Sequence, residues 1–160
     1  MAFTESIEKV LAHEGGYVND PLDAGGETNY GISKRTYPHL DIAGLTKEQA
    51  ARIYERDWWE RYGYGRIADA AVATKIFDMA VNMGSHQAHK LAQRACTDCG
   101  MALADDGNLG PLSISAINSV HGPTLLAALR NRCATFYQDL ADAKPSNRKF
   151  LKGWLKRAYS

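Results

Sequence analysis

The sequence predicts a mainly α fold with one short, irregular β-hairpin or loop at about residues 15–32. Two observations predict it. Apolar residues recur at three- and four-residue spacing through most of the chain, and Gly, Asn, Asp and Pro concentrate in that one N-terminal stretch. The 160 residues, 45% hydrophobic and 23% charged, have an ordinary globular balance and predict a single compact domain over 1–160. That balance excludes disordered, collagen-like and coiled-coil chains. No apolar run approaches the roughly 18 residues that span a bilayer. The opening MAFTESIEKV is polar and acidic, unlike a secretory leader. Three cysteines are too few, and odd in number, for a disulfide framework.

The elements follow in order. Phe3, Ile7, Val10 and Leu11 stripe a first helix, with Thr4 or Ser6 as its expected cap and Gly15-Gly16 as its stop. A second helix starts at Thr46, with Gln49 completing a capping box, and buries Ala50, Ile53, Tyr54 and Trp58. A third runs from about Asp69 to Met83 and is apolar enough to be central. Ser85 is the expected cap of a fourth, carrying Ala88, Leu91, Ala92 and Ala95. After the turn-rich DDGNLGPLS connector (105–113), Ser113 is the expected cap of a short helix to about Val120. Gly122-Pro123 opens a long helix with Leu126, Leu129, Cys133, Phe136, Tyr137 and Leu140 on one face, ended by Lys144-Pro145. Phe150, Leu151, Trp154, Leu155 and Ala158 stripe the last.

Glu14 carries the most chemical information. It lies eleven residues after Phe3, which at about 100° per residue is three turns plus roughly 20°. It therefore continues the apolar face of its own helix, at the negative end of the helix dipole. Desolvation and the dipole both favour a protonated carboxyl, the state a general acid needs. The alternative is a buried Glu satisfied by an Arg or by backbone. The loop that follows offers Asn19, Asp20, Asp23, Glu27, Thr28 and Asn29 among glycines. One acid on a helix end facing a second carboxylate is what glycoside hydrolysis requires. Asp20 and Asp23 are equally good turn formers. Asp78 and Asn82 share a face of the third helix, where a polar pair either lines a cleft or closes an internal network. Tyr17, Tyr30, Trp58 and Trp59 are candidate stacking surfaces, with Trp58 read as the more core-like tryptophan.

These residues carry a family resemblance. EGGYVNDPLDAGGETNYGIS (14–33) resembles the N-terminal signature of glycoside hydrolase family 108, the phage and prophage endolysins or muramidases. FDMAVNMG (77–84) is similar to the family's second motif. DGNLGPLS (106–113) and NRKFLKGW (147–154) are similar to its C-terminal peptidoglycan-binding-type region. The resemblance implies a lysozyme-like fold with a catalytic part at 1–92 and a helical peptidoglycan-binding-type part at 93–160 packed against it. It implies cleavage of the β-1,4 bond between N-acetylmuramic acid and N-acetylglucosamine, with Glu14 as general acid. Glu14, Asp23 and Thr28 are spaced like the Glu, Asp and Thr of phage-type lysozymes, with one residue fewer before the Thr. Asp23 would then stabilise charge or activate water, with Asp20 and Glu27 as competitors, and Thr28 would position the water. Asp20, Glu27, Tyr30, Asp78 and Asn82 are the expected sugar contacts.

No cofactor is implied. Cys96 and Cys99 with His86 and His89 lack the second pair of a zinc site, so no metal is expected. Residues 130–160 hold eight bases against Asp139 and Asp142, read as a solvated helix face or an aid to reaching anionic envelope surfaces. A net charge of +1 argues against nucleic acid as partner. The expectation is a monomer held in the host cytoplasm until a holin-like pore gives it access to peptidoglycan, with host lysis as its role. The alternatives are a lytic transglycosylase and a catalytically idle wall-binding or secretion-assisting module.

Overall fold

The computed structural model describes residues 2–22 and 25–160. Among the described residues are seven α-helices and a small antiparallel sheet: α1 (Ala2–Glu14), β1 (Val18–Asn19), β2 (Glu27–Asn29), β3 (Ile32–Ser33), α2 (Lys47–Tyr54), α3 (Ala70–Met83), α4 (Ser85–Asp98), α5 (Pro111–Ser119), α6 (Gly122–Ala143) and α7 (Arg148–Ala158). The mainly α expectation holds. The N-terminal stretch is a three-stranded meander in the order β1-β2-β3 where a hairpin or loop was expected. The third strand exists because Tyr30 and Gly31 both adopt positive φ, 52° and 77°. That is the twist a two-residue turn needs to return the chain from β2 to β3.

α3 is the central element, packed against α1, α4 and α6. Phe77, fully buried, gathers the rings of Phe3, Tyr54, Trp59 and Tyr64 at centroid distances of 5.5–6.3 Å. Asp69 caps α3 by accepting from the Val72 amide at 3.0 Å. Thr46 and Gln49 form both bonds of the expected capping box.

Four local expectations are corrected. α1 begins at Ala2, and Ser6 is an interior residue whose Oγ donates to the Ala2 carbonyl and lies 2.6 Å from Thr74 Oγ1. Ser85 bonds the Tyr62 hydroxyl instead of capping α4. Ser113 lies inside α5, which starts at Pro111, and is buried against Gln93. The tryptophans exchange roles: α2 continues through Glu55–Glu60 as a wider π turn. Closing bonds to the fifth residue shifts the angular register, so Trp59 enters the core and Trp58 stays half-buried.

The 105–110 connector is fixed from beneath. His89, 2% exposed, lies 3.1 Å from the Gly107 carbonyl through Nδ1 and 2.8 Å from the Tyr64 hydroxyl through Nε2. A carbonyl only accepts, so Nδ1 carries the proton and Nε2 accepts from Tyr64. Burial pulls the His89 pKa below its ordinary 6.5. The unfolded chain then binds the extra proton first, so stability falls as pH drops through 6.5. Urea unfolding between pH 8 and 5 is expected to show this slope, and His89→Gln is expected to flatten it.

Candidate active site

The end of α1 brings Glu14 to the inner face, as its spacing predicted. Its side chain is 18% exposed, covered but in contact with solvent. Of the two readings that the sequence left open, the structure shows the Glu satisfied by an Arg: a guanidinium lies on it. Arg157 Nη2 donates to Glu14 Oε1 at 2.7 Å. Arg157 stands in the last turn of α7, 143 residues away. It also donates to both oxygens of Asp78, at 2.9 Å from Nη2 and 3.2 Å from Nε, and to Asn82 Oδ1 at 3.2 Å from Nη1. Asp78 is 2% exposed and has His13 Nδ1 2.9 Å from Oδ1. Burial works against the Arg157 charge, but Asp78 and Glu14 outweigh it and hold the guanidinium above its ordinary pKa.

Asp78 is thus a member of a closed internal network, one of the two readings its position allowed. That network ends on Glu14. Asn82 is exposed, donates to the Tyr137 hydroxyl, and joins His13, Trp154 and Arg157 in the wall of a cavity of about 420 Å³.

Two further elements fix Glu14. The Tyr54 hydroxyl donates to the Tyr30 carbonyl at 2.8 Å. Burial first, then the Glu14 charge, push the Tyr54 pKa well above its ordinary value, so it remains a donor. The tip of the β2–β3 hairpin packs directly on the carboxylate. A Cβ at Gly31 would lie 2.5 Å from the Tyr54 hydroxyl and 2.7 Å from Glu14 Oε2. Gly31→Ala would therefore combine left-handed strain with displacement of Glu14. It is expected to cost about 1–3 kcal/mol. Thermal unfolding checks the cost, and turnover is expected to fall with it.

Asp20 is exposed and accepts from the Leu22 amide at 2.9 Å, which is turn chemistry. Asp23 lies outside the described residues. Glu27, in β2, accepts from the Tyr17 hydroxyl at 2.7 Å. Thr28 pairs with Val18 and Ser33 in mid-sheet. It faces opposite to buried Asn29, whose Nδ2 holds the Ile42 carbonyl at 3.0 Å. Tyr30 contributes its carbonyl to Tyr54, a backbone role that the sequence reading did not give it.

Sequence reasoning missed Arg157, His13 and Tyr54. Arg157 was one base in a charged C-terminus. Its only signal is that it follows Trp154 by three residues, on the helix stripe where burial begins. Lys75 was missed too. It is 3% exposed, and its Nζ donates to the Arg157 and Ala158 carbonyls at 2.9 and 2.6 Å. It closes the C-terminus of α7 and holds the Arg157 backbone where its side chain reaches Glu14.

Cys96, Cys99 and Cys133 are free thiols; burial pushes Cys96 up to about 11. Among the described residues, no three His, Cys, Asp or Glu side chains are grouped to hold a metal. No single helix among them is long and apolar enough to cross a membrane.

Residues 7–84 match the family model described as glycosyl hydrolase 108. Residues 87–159 match the model described as a predicted peptidoglycan domain. No curated protein matches the chain. Among solved structures, SagA of Brucella abortus superposes with a TM-score of 0.78 at 25% identity, over 98% of this chain and 88% of that one. The lysozyme-like fold and the paired family models meet in one statement: the chain carries a glycosyl hydrolase 108 domain followed by a peptidoglycan-binding-type domain, and is a glycoside hydrolase acting on peptidoglycan.

Proposed function

We propose that the enzyme is an N-acetylmuramidase that hydrolyses the β-1,4 bond between N-acetylmuramic acid and N-acetylglucosamine, with Glu14 as general acid. The observation that carries this reading is the Glu14–Arg157–Asp78 network. With Glu14 ionised, the three groups sum to −1. With Glu14 protonated, Arg157 and Asp78 remain a balanced pair. The site therefore accommodates the carboxyl before proton transfer and the carboxylate after it, with Arg157 already in place to meet the developing charge.

In this reading Glu14 Oε protonates the glycosidic oxygen as the bond to the anomeric carbon breaks. A water supplies the hydroxyl that ends on that carbon, and its proton passes to a base. Asp23, Asp20 and Glu27 are the carboxylates proposed to stabilise the oxocarbenium charge or activate that water, and Thr28 to position it. Asn82, exposed in the cavity wall, and Tyr30 are proposed sugar contacts. Asp78 acts through Arg157.

Mass spectrometry of soluble products from purified peptidoglycan tests the proposal. Reducing N-acetylmuramic ends from the wild type, absent with Glu14→Gln, are the expected result. Anhydro-muramic ends would make the enzyme a transglycosylase. Adsorption to the wall with no product would leave an idle binding module.

The biological setting that we propose is lysis of a bacterial host by a monomeric enzyme that waits in the cytoplasm for a holin-like pore. Cells expressing the chain alone are then expected to keep their optical density until their membrane is permeabilised. Lysis without permeabilisation would overturn that setting.

A further inference from the structure

Away from Glu14, a second cavity of about 450 Å³ lies between Tyr37, Asp57, Trp58, Arg61 and Tyr62 on one side and the α3–α4 junction on the other. A third, of about 380 Å³, runs from Tyr62 and Ser85 past His86 to the loop at Gly107–Gly110. Tyr62 and Ser85 line both, and Ser85 Oγ donates to the Tyr62 hydroxyl at 3.0 Å. The two cavities therefore adjoin at Tyr62 and Ser85, and together they make one candidate groove. Its near end adjoins the site: the Trp58 ring lies 5.1 Å from the Tyr54 ring, whose hydroxyl flanks Glu14 beside Gly31.

The far end is built rigidly. Gln93, 1% exposed, donates through Nε2 to Asp106 Oδ1, the Asn108 carbonyl and Ser113 Oγ at 2.9–3.0 Å. Its Oε1 accepts from the Gly107 amide at 2.9 Å. A Cβ at Gly107 would fall 2.4 Å from His86 Nδ1, so only glycine lets the exposed imidazole lie against the loop. A loop ordered before binding loses little further entropy when a ligand arrives.

The lining selects a ligand class. Trp58 and Tyr62 place aromatic rings in the lining, a surface suited to the apolar faces of sugars. Arg61 and His86 are exposed, with the Arg61 guanidinium 5.6 Å from the Tyr62 ring centroid. Asp57 is engaged by Arg56 at 2.6 and 2.9 Å and by the Tyr37 hydroxyl, so its charge is answered within the protein. Aromatic faces beside exposed cations suit a glycan bearing carboxylates.

We propose that this groove is an extended binding site for a length of glycan strand still carrying its peptide stems, with sugars on Trp58 and Tyr62 and stem carboxylates at Arg61 and His86. The inference rests on peptidoglycan as substrate. It gives the C-terminal unit, through Gly107–Gly110, a share in the same strand that Glu14 attacks.

The test uses Glu14→Gln protein, so that binding is read without cleavage, and pelleting with purified peptidoglycan sacculi. Arg61→Gln and Tyr62→Ala are each expected to weaken adsorption about tenfold, the size of one interface anchor, while Tyr62→Phe retains it. Removing the stems with an amidase is expected to weaken adsorption of the parent protein and not to weaken Arg61→Gln further. Exposed Lys152 on α7 supplies the control, and Lys152→Ala is expected to bind as the parent does. Parent-like adsorption of the Arg61→Gln, Tyr62→Ala double variant, or equal affinity for stripped and intact glycan, would overturn the proposal. Turnover is measured separately on the wild type. Absent hydrolysis with variant-sensitive binding would sink the muramidase reading and leave the groove standing.

Discussion

Glu14→Gln is expected to lower kcat/KM on purified peptidoglycan by about 10²–10⁴-fold, the usual contribution of a positioned general acid. The substitution is nearly isosteric. Glutamine Oε1 still accepts from Arg157, and the amide fits the space beneath Gly31 that the carboxylate fills. Arg157 keeps Asp78 as its counterion, so no buried charge is orphaned. Thermal unfolding is therefore expected to shift little, and the lost rate reports proton donation alone. A Glu14→Gln enzyme within threefold of wild type would move the acid elsewhere, with Glu27 the first residue to examine.

The fold was legible because helix periodicity is a local signal. The capping box at Thr46, the Asp69–Met83 helix and the Gly122 start follow from a few neighbouring residues each. The misplaced pieces share a cause. Ser6, Ser85 and Ser113 are good caps in isolation, and each is instead claimed by a distant partner: Thr74, Tyr62 and Gln93. Tertiary hydrogen bonds outweigh local capping where the serine is buried, as Ser6 and Ser113 are, or partly buried, as Ser85 is. The π turn at Glu55–Glu60 is likewise invisible to a fixed 100° count, and it exchanged the two tryptophans.

The candidate site divides along the same line. Glu14 was legible because its own helix places it. Asp78 and Asn82 were legible as a polar face, but not which partners they would meet. Arg157, which joins all three, lies 143 residues from Glu14, and no spacing argument reaches that far. Asp20 had two readings; its bond to the Leu22 amide is the turn one, and its part in the chemistry is carried only by the proposal.

Arg157→Met is expected to be the most destabilising substitution in the site. It leaves Asp78, 2% exposed, with the His13 imidazole as its remaining side-chain partner. Removing one member of a buried pair typically costs about 3–5 kcal/mol. In a chain of 160 residues that corresponds to a Tm lower by roughly 6–20 °C. Turnover is expected to fall as well, but loss of fold alone would explain that. The double variant Asp78→Leu, Arg157→Met separates the two effects. Replacing both charges by apolar side chains removes the orphaned carboxylate, and such replacements are often neutral or stabilising. Tm is then expected to recover most of its loss. Turnover is expected to stay low, because the recovered core contains nothing to hold Glu14 or meet its charge after proton transfer. If turnover returned with Tm, Arg157 would be a structural residue only, and the C-terminal helix would support the fold without contributing to the chemistry. If turnover stays low in a stable double variant, α7 belongs to the active site. The two matched units, 7–84 and 87–159, then form one catalytic site across their boundary.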